Sequence, residues 1–149
     1  MKLSISAALL AATSALAAPA PTKQSGGFSI SNLHARKSLD HTLRFGLLDT
    51  NHPSGPLSTE CTLIWPANSA PDADAACGPD SGYKIRFPDG FEGGIGKFTL
   101  AVERVNVEPI GGRAYLDENA ADGRWKCVED AEGVVKKDCV FEGVYEIAL

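Results

Sequence analysis

From Phe28 onward the chain alternates apolar and polar residues with a period of two. Phe28-Ser29-Ile30, Leu43-Arg44-Phe45-Gly46-Leu47, Tyr83-Lys84-Ile85-Arg86-Phe87 and Phe98-Thr99-Leu100-Ala101-Val102-Glu103 each send alternate side chains to opposite faces of an extended segment. Val105-Asn106-Val107 is placed to extend the last of these past Arg104. Leu57–Trp65 is a further apolar strand, Trp125 and Cys127 lie on a short one, and Val140–Leu149 reads as the final strand. Between these runs stand turn-forming groups: Asn51-His52-Pro53-Ser54-Gly55-Pro56, Pro88-Asp89-Gly90, Gly93-Gly94, Gly111-Gly112 and Asp122-Gly123. Pro66–Gly82 is the longest loop, and Ala70–Ala76 inside it reads as a single turn because of Pro71 and the neighbouring Asp residues. No segment carries a helical period. The pattern predicts an all-β fold, a single antiparallel β-barrel or β-sandwich of seven to ten short strands.

The first residues follow another logic. Met1-Lys2 is a short basic start, Leu3–Leu16 is uncharged, and Ala15-Leu16-Ala17 places small residues where a signal peptidase reads. Residues 1–17 are expected to be a signal peptide cleaved after Ala17. A membrane anchor would need an apolar run of ~20 residues, and this one is shorter. Residues 18–27, rich in Pro, Gly and polar side chains, read as a flexible leader, and 28–149 as the domain. The expected product is secreted and extracellular, with no membrane association after removal of the signal.

Export changes the meaning of Cys61, Cys77, Cys127 and Cys139. An even number of cysteines in an oxidising compartment implies two disulfides and no free thiol. Four cysteines permit three connectivities. The local one, Cys61–Cys77 with Cys127–Cys139, would pin the long loop to its strand and staple a hairpin. A zinc site is disfavoured because no pair has close C-x₂₋₄-C spacing and the histidines all lie upstream. Lys plus Arg number 14 against 19 for Asp plus Glu, a net charge of −5 that becomes one unit more negative when Lys2 is lost. Such a chain is a poor match for nucleic acid, whose binding needs clustered cations.

Three stretches carry a family resemblance: Phe28-Ser29-Ile30-Ser31-Asn32-Leu33-His34-Ala35-Arg36-Lys37; Leu43-Arg44-Phe45-Gly46-Leu47 leading to Cys61; and Cys127 followed, after eleven residues, by Cys139-Val140-Phe141-Glu142-Gly143. Together they resemble the Alternaria major-allergen-like family of small secreted fungal β-barrel proteins. The resemblance implies a β-barrel, local cysteine pairing and a non-enzymatic role as allergen, elicitor or effector. It also implies partners of two kinds, host extracellular proteins and small ligands. The founding member links two subunits through an additional cysteine near its mature N-terminus. Lys23–Asn32 holds no cysteine here, so no disulfide-linked dimer is expected.

Candidate chemistry is sparse. His34, His41, Glu60, Glu103, Arg36 and Arg44 are the raw material of an acid–base ribonuclease, but no spacing brings them together. Ser38, Asp40 and His41 are close in sequence without a nucleophile-elbow motif. Gly90–Gly96 lacks the G-K-[ST] ending of a phosphate loop, and Asp72, Asp74 and Asp80 lack the register of a calcium loop. No catalytic residue, metal or cofactor is therefore expected. Aromatics in or near turns are the better binding candidates: Phe91, Trp65 and Tyr115, which could also act as platforms in a carbohydrate- or cell-wall-binding module. The basic doublets Arg36-Lys37 and Lys136-Lys137 could steer an acidic partner.

Overall fold

A computed structural model describes residues 27–72, 75–91 and 94–149. The expected signal peptide and most of the leader lie outside the described residues. Ten strands run in chain order: β1 Gly27–Lys37, β2 Asp40–Asp49, β3 Leu57–Pro66, β4 Ala75–Cys77, β5 Tyr83–Arg86, β6 Lys97–Arg104, β7 Ile110–Asp117, β8 Trp125–Glu129, β9 Lys137–Phe141 and β10 Val144–Ala148. Two 3₁₀ turns, Pro79–Ser81 and Gly94–Gly96, are the helical elements among the described residues.

The strands form two antiparallel sheets. The first has the order β3-β2-β1-β9-β8, with β10 also pairing with β1, and the second has the order β4-β5-β6-β7. They do not close into a barrel, so the fold is a sandwich. Alternation along each strand supplies its inner face. On β3, Cys61, Leu63 and Trp65 are buried while Glu60, Thr62 and Ile64 are exposed. Phe28, Ile30, Leu33, Leu43, Phe45 and Leu47 of the first sheet face Tyr83, Ile85, Leu100, Val102 and Leu116 of the second, all buried. Each such side chain contributes roughly 1.5–3 kcal/mol relative to exposure.

Several segments depart from the sequence pattern, each for a local reason. Val140–Leu149 is not one strand. The chain breaks at Gly143, whose φ is +92°, so that Val140 and Phe141 end β9 and Val144 opens β10. The Arg124 guanidinium holds this break by donating to the carbonyls of Glu142 (3.1 Å) and Val144 (2.8 Å). β1 then serves both halves. Its residues 27–31 pair with β10 and its residues 34–37 with β9, across a bulge where Asn32 adopts φ +52°. Asn tolerates that left-handed conformation better than most residues.

Gly111-Gly112 is not a turn; both residues lie in β7, opposite Glu103 and Val102. Ala75–Cys77 forms β4 because it has a partner in β5. β6 ends at Arg104, and Val105 leaves the ladder to donate to the Gly82 carbonyl (2.9 Å).

Both local disulfides are present, Cys61–Cys77 and Cys127–Cys139. The first joins β3 of one sheet to β4 of the other, and the second links directly opposite residues of the β8–β9 hairpin. No free cysteine remains. Two disulfides in a small β-domain are consistent with an extracellular protein. Among the described residues, no helix is long and apolar enough to cross a membrane.

At one end of the sandwich the sheets share a buried polar network. Asp49, fully buried on β2, accepts from Arg104 Nη1 (2.8 Å) and from the Tyr83 hydroxyl (3.0 Å), while its other oxygen accepts from the Asn51 amide (2.9 Å). The Arg104 guanidinium also donates to the carbonyls of Asn51, Val107 and Glu108. Burial, reinforced by Asp49 and opposed by Arg104, pushes the Tyr83 phenol up to about 12. The protonated phenol is therefore favoured in the folded state. Its stabilisation is complete below pH ~10 and is lost as pH rises through the folded value, a change of about 2–3 kcal/mol at most. Denaturation followed from pH 9 to 12 should show this loss, and Tyr83→Phe should flatten it. An unchanged alkaline limb in that variant would remove Tyr83 as its cause.

Candidate functional site

The aromatic candidates go to different places. Trp65 is 4% exposed and packs in the core, with its ring centroid 5.4 Å from His41 and 5.2 Å from Phe91. Phe91 is half-buried and lies over the same cluster, 5.2 Å from Phe87 and 5.3 Å from Phe98. Tyr115 is exposed on β7, its hydroxyl donating to Asp117 (3.2 Å) and its ring lying beneath Lys97 Nζ (5.9 Å). Bonding to Tyr115, and then to Asp117, raises the pKa of Lys97. The Asn119 amide, and then Lys97, lowers that of Asp117.

In the aromatic end, His41 Nδ1, His41 Nε2 and Trp65 Nε1 are the buried side-chain polar atoms without a hydrogen-bond partner among the described residues. Burial lowers the His41 pKa, with Lys37 acting in the same direction and Asp40 against it. Burial thus favours the neutral imidazole.

The residues offered for acid–base chemistry divide between separate surfaces. His34, Arg36 and Arg44 meet on the outer face of the first sheet, whereas His41 points into the core. Glu103 is on the second sheet and pairs with Arg86 (2.9 Å). The Ser38 hydroxyl donates to the Asp40 carbonyl (2.9 Å), closing the β1–β2 turn. Among the described residues, no group of three or more His, Cys, Asp or Glu side chains could hold a metal ion.

A trough of about 540 Å³ opens on the outer face of β5, β6 and β7. Strand register builds it. Arg86, Ala101 and Arg113 stand in one row across the three strands, and Lys84, Glu103 and Gly111 in the next. The middle of the first row is an alanine and the end of the second a glycine, so the floor lies low between longer side chains. Phe87 and Pro88 wall one side, Pro109 and Ile110 another. Glycine inside a strand often marks a close approach by a ligand or another backbone. The volume lies within the ~300–1,000 Å³ of small-molecule sites.

Sequence pattern alone passed over this trough. Gly111-Gly112 carries a turn signature, which hid the alternation of Arg113, Ala114, Tyr115, Leu116 and Asp117 that follows it. That alternation, exposed at 113 and 115 and buried at 114 and 116, was the available signal. Tyr115 is the next outward residue after Arg113, which places one predicted aromatic beside the trough.

The fold and surface define a class: a disulfide-stapled, all-β sandwich with an open trough on one sheet. The chain matches no protein-family model, no curated protein and no solved structure.

Proposed function

We propose that this chain is an exported, non-enzymatic binding protein that holds a small ligand, or a side chain of a partner protein, in the trough over Ala101. The observation carrying this reading is the row Arg86–Ala101–Arg113, in which a small residue between two long ones keeps the surface open. Mixed walls support it: apolar Phe87, Pro88, Pro109 and Ile110 offer contact area, and Lys84, Arg86, Glu103 and Arg113 offer polar anchors. The two staples suit persistence outside a cell. Local cysteine pairing is also what the Alternaria major-allergen-like resemblance implies, and an effector, elicitor or allergen-like role is proposed on that basis. Of the three aromatics that a carbohydrate-binding module would use, Tyr115 is exposed, Phe91 half-buried and Trp65 buried.

Amide NMR of the disulfide-intact protein, titrated with the small-molecule and protein fractions of plant extracellular fluid, tests the site. Shifts should centre on Arg86, Ala101, Gly112 and Arg113. Ala101→Phe, which fills the trough from an outward position, should abolish them while leaving the melting temperature unchanged. Shifts centred elsewhere, or surviving Ala101→Phe intact, would overturn the assignment.

A further inference from the structure

The two basic doublets, a hundred residues apart in sequence, meet in the fold. Lys37 pairs in register with Lys137, and the Lys136 amide donates to the Lys37 carbonyl at 2.7 Å. Next to this junction, on the outer face of the first sheet, Arg36 lies opposite Thr42, and His34 opposite Arg44. A depression of about 280 Å³ opens there, lined by His34, Arg36, Ser38, Thr42, Arg44 and Val135. Its polar lining consists of guanidinium, imidazole and hydroxyl groups, with no carboxylate.

One carboxylate, Asp138, stands beside this lining on β9, directly opposite Arg36, and orders it. Asp138 Oδ1 lies 2.5 Å from His34 Nε2, and Asp138 Oδ2 accepts from Arg36 Nε at 3.1 Å. A single negative charge thus serves two groups. Arg44 has no partner among the described residues. Arg36 and Arg44 are diagonal neighbours on β1 and β2, about 7–8 Å apart in such a ladder, where like charges oppose each other unless something neutralises them. Lys137 does not relieve or add to this, because its ammonium turns to Glu118 (2.6 Å) and Glu129 (3.1 Å). In a chain of net charge −5, the fold has gathered cations here beyond what its own carboxylates balance.

We propose that this depression is an oxyanion site that takes a phosphate or sulfate group, with Arg44 and Arg36 as charged donors and Thr42 and Ser38 as hydroxyl donors. Guanidinium forks match the geometry of tetrahedral oxyanions, and charge-assisted bonds of this kind are about twice as strong as neutral ones. Asp138 acts as the positioning residue, holding His34 and Arg36 in place from the adjacent strand. The site is on the sheet opposite to the trough and is independent of it.

Calorimetric titration of the disulfide-intact protein with inorganic phosphate and with sulfate, against chloride at matched ionic strength, tests the proposal. Saturable binding should weaken at least tenfold in Arg44→Gln and severalfold in Thr42→Val. Lys97→Gln, which removes an exposed cation of the other sheet outside both the depression and the trough, should change it less than twofold. Sedimentation with phosphatidylcholine vesicles, with and without phosphatidic acid, separates two sources of the group. Pelleting only with phosphatidic acid, reversed by inorganic phosphate, would assign a lipid headgroup. Phosphate or sulfate binding without pelleting would assign a soluble ester. Absence of binding to all three probes would overturn the site, as would equal losses in Arg44→Gln and Lys97→Gln.

Discussion

Replacing Asp49 with alanine should destabilise the domain by about 3–5 kcal/mol, the range seen when one member of a buried ion pair is removed. The size follows from what is left behind. Arg104, 2% exposed, would keep its charge in the interior with carbonyl oxygens as its remaining partners, and the Tyr83 hydroxyl and Asn51 amide would lose their acceptor. The damage falls at the junction between sheets, because Asp49 ends β2 while Tyr83 and Arg104 face each other across β5 and β6. Denaturant unfolding of Asp49→Ala and of the apolar pair Asp49→Leu with Arg104→Met gives the measurement. The pair should lose less than the single variant, since no charge is then stranded. A loss below about 1 kcal/mol for Asp49→Ala would show that the network adds little to stability.

Removing Cys61 and Cys77 together, as alanines, should cost about 3 kcal/mol on a chain-entropy model for a loop of this length. The sequence separation is 16 residues. Removing Cys127 and Cys139 relaxes a loop of 12 and should cost a similar amount on entropy alone. The two losses should differ in place. Cys61–Cys77 ties the three-residue β4 to β3 of the other sheet, so its loss should free the β4 amides to exchange with solvent well before global unfolding. Cys127–Cys139 spans one hairpin, whose ladder persists without the bond. Hydrogen exchange on both variants decides this. Unchanged protection of Ala76 and Cys77Ala amides would mean that β4 is held by its pairing with β5 alone.

Much of the architecture was readable because period-two alternation is a local property. Leu43 to Leu47 and Tyr83 to Phe87 announce a buried and an exposed face from their own residues, whatever they pack against. Departures arose where a neighbour overrides local preference. Ala75–Cys77 has little strand character, yet it pairs with β5. Gly111-Gly112 looks like a turn until β6 supplies its partner. Exposure of single aromatics was not legible: Trp65 and Phe91 both stand at or near turn residues, but Trp65 is buried in the core against Phe87 and Phe91 half-buried over it against Phe87 and Phe98.

By itself, the sequence determined the strand class, the even cysteine count and the acidic balance, all of which depend on residue identity and short-range spacing. Tertiary structure alone decided which charges meet. Asp49 and Arg104 are 55 residues apart and His34 and Asp138 are 104 apart, yet each pair is in hydrogen-bond contact. Strand order, not sequence distance, sets those encounters: β1 at the centre of its sheet brings β2 and β9 to either side, and with them Arg44 and Asp138. The same holds for the trough, whose low floor exists because register sets Ala101 between Arg86 and Arg113. Side chains on three strands become neighbours only once those strands are hydrogen-bonded about 4.8 Å apart, a condition that no local pattern encodes.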